Sequence, residues 1–187
     1  MKILKILITG PYNAGKTTLV KTLCANALTT DKRTISDELV KPTTTVALDF
    51  GLVNIKGTLV RLFGTPGQSR FSFMWRTLSI GIDGYIFMVD SSDPLSLDDA
   101  LHMYMFFKSM HPKTVHVISA NKYDKEKKLS IDAIRSALKA EKDIPIYPTV
   151  AYDLDSATRL LELLIDMIKS RVMIQLKEYE QKRPPKV

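Results

Sequence analysis

The chain has 187 residues, 45% of them hydrophobic, which is enough for one domain with an adequate core, and no apolar run reaches the length of a membrane-spanning helix. Its formal net charge of +7 comes from 27 basic and 20 acidic residues, with the lysines scattered apart from small clusters at Lys122–Lys128 and Lys177–Lys186. That pattern favours solvated faces over a nucleic-acid surface, and nucleic acid is not expected as a partner. The single cysteine, Cys24, excludes an internal disulfide and fits a reducing, cytoplasmic setting. The opening residues lack the pattern of a signal peptide or of an acylation site.

Residues 2–9 form an apolar first strand. It runs into Gly10-Pro11-Tyr12-Asn13-Ala14-Gly15-Lys16-Thr17, followed by helical spacing at Leu19, Val20, Leu23, Cys24 and Ala27, so a helix is expected over 15–27. Strand, glycine-bounded loop, then Lys-Thr at a helix start is the setting of a phosphate-binding loop. Successive backbone N–H groups line a concave nest, and the helix N-terminus adds partial positive charge, so a polyphosphate is the natural guest. Lys16 is placed to reach the outer phosphates and the Thr17 hydroxyl to ligate magnesium.

Residues 28–44 are polar and aperiodic, the kind of long connection that is functional or mobile. A hairpin is expected from Val46–Val53 and Thr58–Phe63 around a Lys56-Gly57 turn. Gly64-Thr65-Pro66-Gly67-Gln68 is a second glycine-punctuated loop, and Ser69–Ser79 an irregular helix with Phe71, Phe73, Met74 and Trp75. Tyr85–Val89 reads as a strand buried on both faces. A helix is expected from Ser92 to Met110, a strand from Thr114 to Ala120, a helix from Leu129 to Ala140, a strand from Ile144 to Thr149, and a long helix from Ser156. Strands alternating with helices imply a parallel α/β sheet that binds ligands at the strands' carboxyl ends.

The phosphate loop, Thr45, the Gly67-Gln68 loop and Asn121-Lys122-x-Asp124 follow one another in the order of a small GTPase of the Ras superfamily, which the chain resembles over nearly its whole length. The stretches TTTVALDFG (43–51) and LFGTPGQSRF (62–71) look most like an archaeal and bacterial branch related to Arf-like and gliding-motility GTPases. The resemblance implies a three-layer G domain with a mostly parallel six-stranded sheet and helices on both faces. With no internal repeat, a single domain is expected over 1–180, and 181–187 as a basic, flexible tail whose Pro184-Pro185 cannot continue a helix.

By the same resemblance, nucleotide is bound by Gly10, Tyr12, Asn13, Ala14, Gly15, Lys16, Thr17, Thr18, Thr45, Gly67, Asn121, Lys122, Asp124, Val150 and Ala151. Asp124 would accept two hydrogen bonds from guanine, and adenine offers no such pair of donors. Asn121 would buttress the phosphate loop, the Lys122 stem would cover the base, and Val150-Ala151 would meet it through backbone N–H. Thr17 and Thr45 are the implied magnesium ligands, with Thr43 and Thr44 as fallbacks for Thr45. Gln68 would orient the attacking water, and two switch loops, about 28–45 and 64–80, would respond to the γ-phosphate.

Two positions depart from the family pattern. Gly64 stands where the family has an aspartate that holds magnesium through water, leaving Asp49 or Asp90 as substitute acids. Tyr12 stands where Ras-type chains have glycine, and its ring would crowd an incoming arginine finger, so slow hydrolysis is expected; Arg70 is a candidate finger in cis. The alternative is a pseudo-GTPase that binds nucleotide as an assembly module, and an ATP-dependent enzyme is disfavoured by Asn121-Lys122-x-Asp124. Protein effectors, an exchange factor and an activator are expected partners, and a homodimer stays open. Solvated overhang is favoured over membrane contact for the last helix beyond Met173.

Overall fold

The computed structural model describes residues 3–24, 28 and 49–181. Six strands, β1 (Leu4–Thr9), β2 (Asp49–Ile55), β3 (Thr58–Gly64), β4 (Gly84–Asp90), β5 (Val115–Asn121) and β6 (Ile146–Pro148), form one sheet in the order β2-β3-β1-β4-β5-β6. Every neighbouring pair is parallel except β2 with β3. That pair is a hairpin closed by Lys56 and Gly57, both at positive φ (47° and 78°), the conformation that matches strand twist across a two-residue loop.

Five helices, α1 (Lys16–Leu23), α2 (Ser72–Leu78), α3 (Leu97–Met110), α4 (Ile131–Leu138) and α5 (Leu154–Gln181), complete the described elements. Alternation along the central strands sorts the core into two layers. Ile6, Ile8, Ile86 and Met88 meet Leu19, Val20, Leu160 and Leu164 from α1 and α5. Leu7, Tyr85, Phe87 and Val89 meet Trp75, Tyr104, Phe107, Ile134 and Leu138 from α2, α3 and α4. The architecture is therefore the three-layer, six-stranded, mostly parallel one expected.

Several boundaries differ from expectation. The first helix is shorter: Cys24 is already extended (φ −128°), capping α1 through its N–H to the Val20 carbonyl, and 25–27 lie outside the described residues. The apolar spacing there is fulfilled by a buried Cys24 that packs beside β2 rather than by another helical turn. Ser69–Phe71 and Pro94–Ser96 are 3-10 turns that precede α2 and α3. Before α3, the Asp93 side chain accepts from the Leu95 N–H, and Pro94 fits the first turn because its missing N–H would have no helical partner there. The tail beyond Gln181, Thr45 with its fallbacks, and most of the 28–45 loop also lie outside the described residues.

On α5, Val172, Met173, Ile174 and Leu176 are exposed, yet no helix among the described residues is long and apolar enough to cross a membrane.

The edge opposite the glycine loops holds a buried histidine. His116 stacks on the Tyr85 ring at 4.5 Å, meets the Tyr104 hydroxyl through Nε2 at 3.0 Å and faces the Thr114 carbonyl through Nδ1 at 3.3 Å. A neutral ring with its proton on Nδ1 satisfies both partners. Burial holds its pKa below the ordinary 6.5, opposed by the Thr114 carbonyl and by Glu141 and Asp143. The unfolded chain therefore takes up this proton first, and the stability contributed by the neutral ring is complete above pH 6.5 and lost as pH falls toward the depressed value. Urea unfolding across pH 5–8 is expected to show that acid-sensitive component in the native chain and to lack it in His116→Gln.

Candidate nucleotide-binding site

The carboxyl ends of the parallel strands converge on one edge, and the antiparallel β2 brings its first residue, Asp49, to the same edge. The 10–15 loop leaves β1 there. Backbone at Asn13 (φ 62°) and Gly15 (φ 98°) enters the left-handed region, and such turns aim successive N–H groups into one concavity. Gly15 has a second reason to lack a side chain: a Cβ there would lie 2.2 Å from Asn121 Nδ2. Gly10, at φ 142°, is likewise buried against β4. Tyr12 and Asn13 are exposed at the mouth, Ala14 is buried beneath it, and Thr18 is exposed on the first turn of α1.

Lys16 is buried, its ammonium donating to the Pro11 carbonyl at 2.6 Å. Desolvation lowers its pKa to about 8, only partly opposed by the nearby Asp49 carboxylate. A cation held this far from water favours any anion that reaches it. Beside it, the Thr17 hydroxyl donates to Asp49 Oδ2 at 2.6 Å.

The 64–68 loop closes over this nest. It is pinned at one end by the Thr65 N–H to the Ile8 carbonyl (2.9 Å) and by the Thr65–Thr9 hydroxyl contact (2.9 Å). Trp75 Nε1 donates to the Pro66 carbonyl at 2.7 Å, while its ring packs on Phe106 and Phe107. Gly67 lies so close to the first loop that a Cβ would sit 2.5 Å from the Tyr12 nitrogen and 2.7 Å from Lys16 Nζ. Gln68 follows, half-buried. The Arg70 guanidinium lies 4.9 Å over the Phe71 ring, and Phe73 is exposed. The aromatic stretch thus divides: Trp75 is anchor, Phe73 is surface.

Asn121, the last residue of β5, joins the 10–15 loop to the loop after β6. Its Nδ2 donates to the Ala14 carbonyl at 2.8 Å, and its Oδ1 accepts from the Ala151 N–H at 2.9 Å. The Val150 N–H is held by Ser156 Oγ at 2.9 Å, so a base contact through the N–H of Val150 or Ala151 would be shared with these partners. Lys122, at φ 59°, sends its ammonium to Asp90 Oδ2 at 2.5 Å. Asp90 also accepts from the Ser92 N–H and hydroxyl, and these partners outweigh its burial and lower its pKa. Asp124 is exposed, and the Tyr152 hydroxyl donates to its Oδ2 at 2.8 Å, which keeps the carboxylate ionised.

All the expected residues that are described gather at this edge. Sequence reasoning missed the grip of Tyr152 on Asp124 and of Trp75 on Pro66. The first had a partial signal, since Tyr152 directly follows the Val150-Ala151 pair.

Because both groups held by Asn121 are buried, Asn121→Ala leaves a carbonyl and an N–H without partners at about 1–3 kcal/mol each. Equilibrium urea unfolding is expected to show a loss of at least about 2 kcal/mol.

Residues 1–168 match the family model described as the ADP-ribosylation factor family. An uncharacterized protein of Methanocaldococcus jannaschii is 30% identical over 95 residues, 51% of this chain and 56% of that protein. Bovine ADP-ribosylation factor-related protein 1 is 29% identical over 134 residues, and the match covers 65% of its length, so the chain spans less than two thirds of both relatives. Human ADP-ribosylation factor-like protein 4C is 30% identical over 176 residues, 90% of this chain and 88% of that protein. Among solved structures, the Arl6 small GTPase of Trypanosoma brucei, with a bound GppNp analogue, superposes with a TM-score of 0.69 at 19% identity, covering 90% of this chain and 99% of that one. A phosphate-loop nest, a glycine loop folded onto it and an Asn-Lys-x-Asp strand end thus sit on a shared fold, and the chain belongs to the ADP-ribosylation factor family of small GTPases.

Proposed function

We propose that this chain is a guanine-nucleotide switch that binds GTP and GDP with magnesium, hydrolyses GTP slowly, and moves its loops at about 28–45 and 64–80 between two states. The observation that carries the reading is the strand end at Asn121–Asp124. Buried Asn121 is hydrogen-bonded to the phosphate nest, while an ionised Asp124 carboxylate is presented beside it. Guanine offers that carboxylate two donors; adenine does not.

The donor set suits a hard divalent cation, because Thr17 and Asp49 bring only oxygens together beside the nest. Thr17 would hold magnesium, with Thr45 closing in the triphosphate state. When bound, the ion spreads the charge that develops on the transferred phosphoryl group. The chain's own part is positioning. Lys16 would neutralise the outer phosphates, the Gly67 N–H would bond the γ-phosphate, and Gln68 would orient water. Loss of the γ-phosphate removes the ties to Thr45 and Gly67 and lets both loops relax.

Slow turnover follows from Tyr12, exposed at the mouth, and from Arg70, which lies on Phe71. Tyr12 and Gly64, which stands in place of the family's aspartate, support the second reading, a pseudo-GTPase acting as an assembly module. The Methanocaldococcus relative supports placement in an archaeal and bacterial branch. Protein effectors, an exchange factor and an activator acting in the cytoplasm complete the proposed cycle.

Calorimetric titration with GTP, GDP and ATP, with and without magnesium, tests the whole reading. Preference for ATP overturns it, and tight GTP binding without single-turnover hydrolysis selects the assembly module. Asp124→Asn is expected to weaken guanine nucleotides by about tenfold or more and to favour xanthine nucleotides. An unaltered preference would remove Asp124 from base recognition.

A further inference from the structure

We propose that a second site, at the edge of the sheet opposite the phosphate loop, binds a small apolar zwitterion of the free α-amino acid class. It shares no residue with the nucleotide-binding edge and stands independently of the guanine-nucleotide reading.

A cavity of about 320 Å³ opens between the end of α3, the start of β5, the 141–144 loop and α5. That volume is at the small end of the range for small-molecule sites, about 300–1,000 Å³, so the guest is compact. The walls are tied in place. Arg135 donates to the carbonyls of Glu141 at 2.6 Å and Ile144 at 2.9 Å, which fixes the loop after α4. The Lys108 ammonium pairs with the Glu141 carboxylate and links that loop to α3. His116, locked between Tyr85 and Tyr104, contributes a rigid imidazole.

The charges of the lining select the guest. Two bases, Lys108 and Arg171, face two acids, Glu141 and Asp143, while burial lowers the pKa of both His111 and His116. Lys108 and Glu141 neutralise each other. Arg171, from α5, and Asp143, from the loop before β6, have no ion-pair partner among the described residues. A lone anion or a lone cation would match one of them and leave the other. A guest with a carboxylate and an ammonium matches both.

One buried atom adds to this. His111 lines the cavity, and its Nε2 is buried without a hydrogen-bond partner among the described residues. Buried polar atoms in folded proteins are normally paired, and either end of a zwitterion can supply the missing group. Val115, Ile144 and Met167 give the cavity an apolar wall for an aliphatic side chain.

The test is saturation-transfer NMR on the full chain, titrated with L-leucine and with two analogues that keep one charge each, 4-methylpentanoate and 3-methylbutylamine. Leucine is expected to bind saturably and about tenfold or more tightly than either analogue. Asp143→Asn is expected to reduce leucine to the level of 4-methylpentanoate, and Arg171→Gln to the level of 3-methylbutylamine. Circular dichroism of both variants is expected to be native.

Absence of saturable leucine binding overturns the proposal. Equal binding of leucine and its analogues also overturns it, because apolar contact alone then accounts for the affinity. Leucine affinity unchanged in both folded variants puts the guest elsewhere, and a loss in only one of them reduces the cavity to a single-ion contact; either result removes the zwitterion site.

Discussion

One buried amide carries the organisation of this edge. Asn121 ends β5, and its two polar atoms reach in opposite directions, to the Ala14 carbonyl in the phosphate nest and to the Ala151 N–H in the loop after β6. Both bonds are sheltered from water, where an unpaired amide group is costly. The nest and the base-side loop are therefore fixed to each other through the sheet, not merely adjacent. A residue of similar size without a donor and an acceptor on the same planar group would leave one of those loops untied.

Charge at the edge is arranged around that fixed point. The nest contains a desolvated Lys16, with Asp49 near it and the partial positive end of α1 beneath. On the base side, Lys122 is neutralised by Asp90, and Asp124 is steadied by a hydroxyl rather than by a cation. The two halves thus differ in what they leave on offer. One favours an anion; the other presents a carboxylate as acceptor. A nucleotide has both features, a polyanionic tail and a base edge with donors.

Much of this was legible in the sequence because it depends on local order. The glycine loop, the strand before it and the helix after it lie within about twenty residues, and such contiguous patterns fix a nest without tertiary information. The apolar β4 was legible for the same reason, since burial on both faces removes alternation. The end of α1 was not legible, because Cys24 continues the helical spacing while its burial is supplied from β2. Nor could the sequence choose between Asp49 and Asp90 as the acid nearest Thr17. That choice is made by the hairpin register, which sets Asp49 opposite Gly64, and by Lys122, which claims Asp90. The anchoring of the 64–68 loop through Trp75 was hidden for a similar reason, since α3 supplies the surface on which the indole rests.

That indole has one more property. The chain contains one tryptophan, and it bridges the second glycine loop and the aromatic wall of α3. An indole N–H tied to a loop carbonyl, with its ring edge-on to Phe106, emits light according to both contacts. Any shift of Pro66 relative to α3 alters the polarity around the chromophore. The molecule consequently carries an intrinsic optical gauge of loop position, readable without a label.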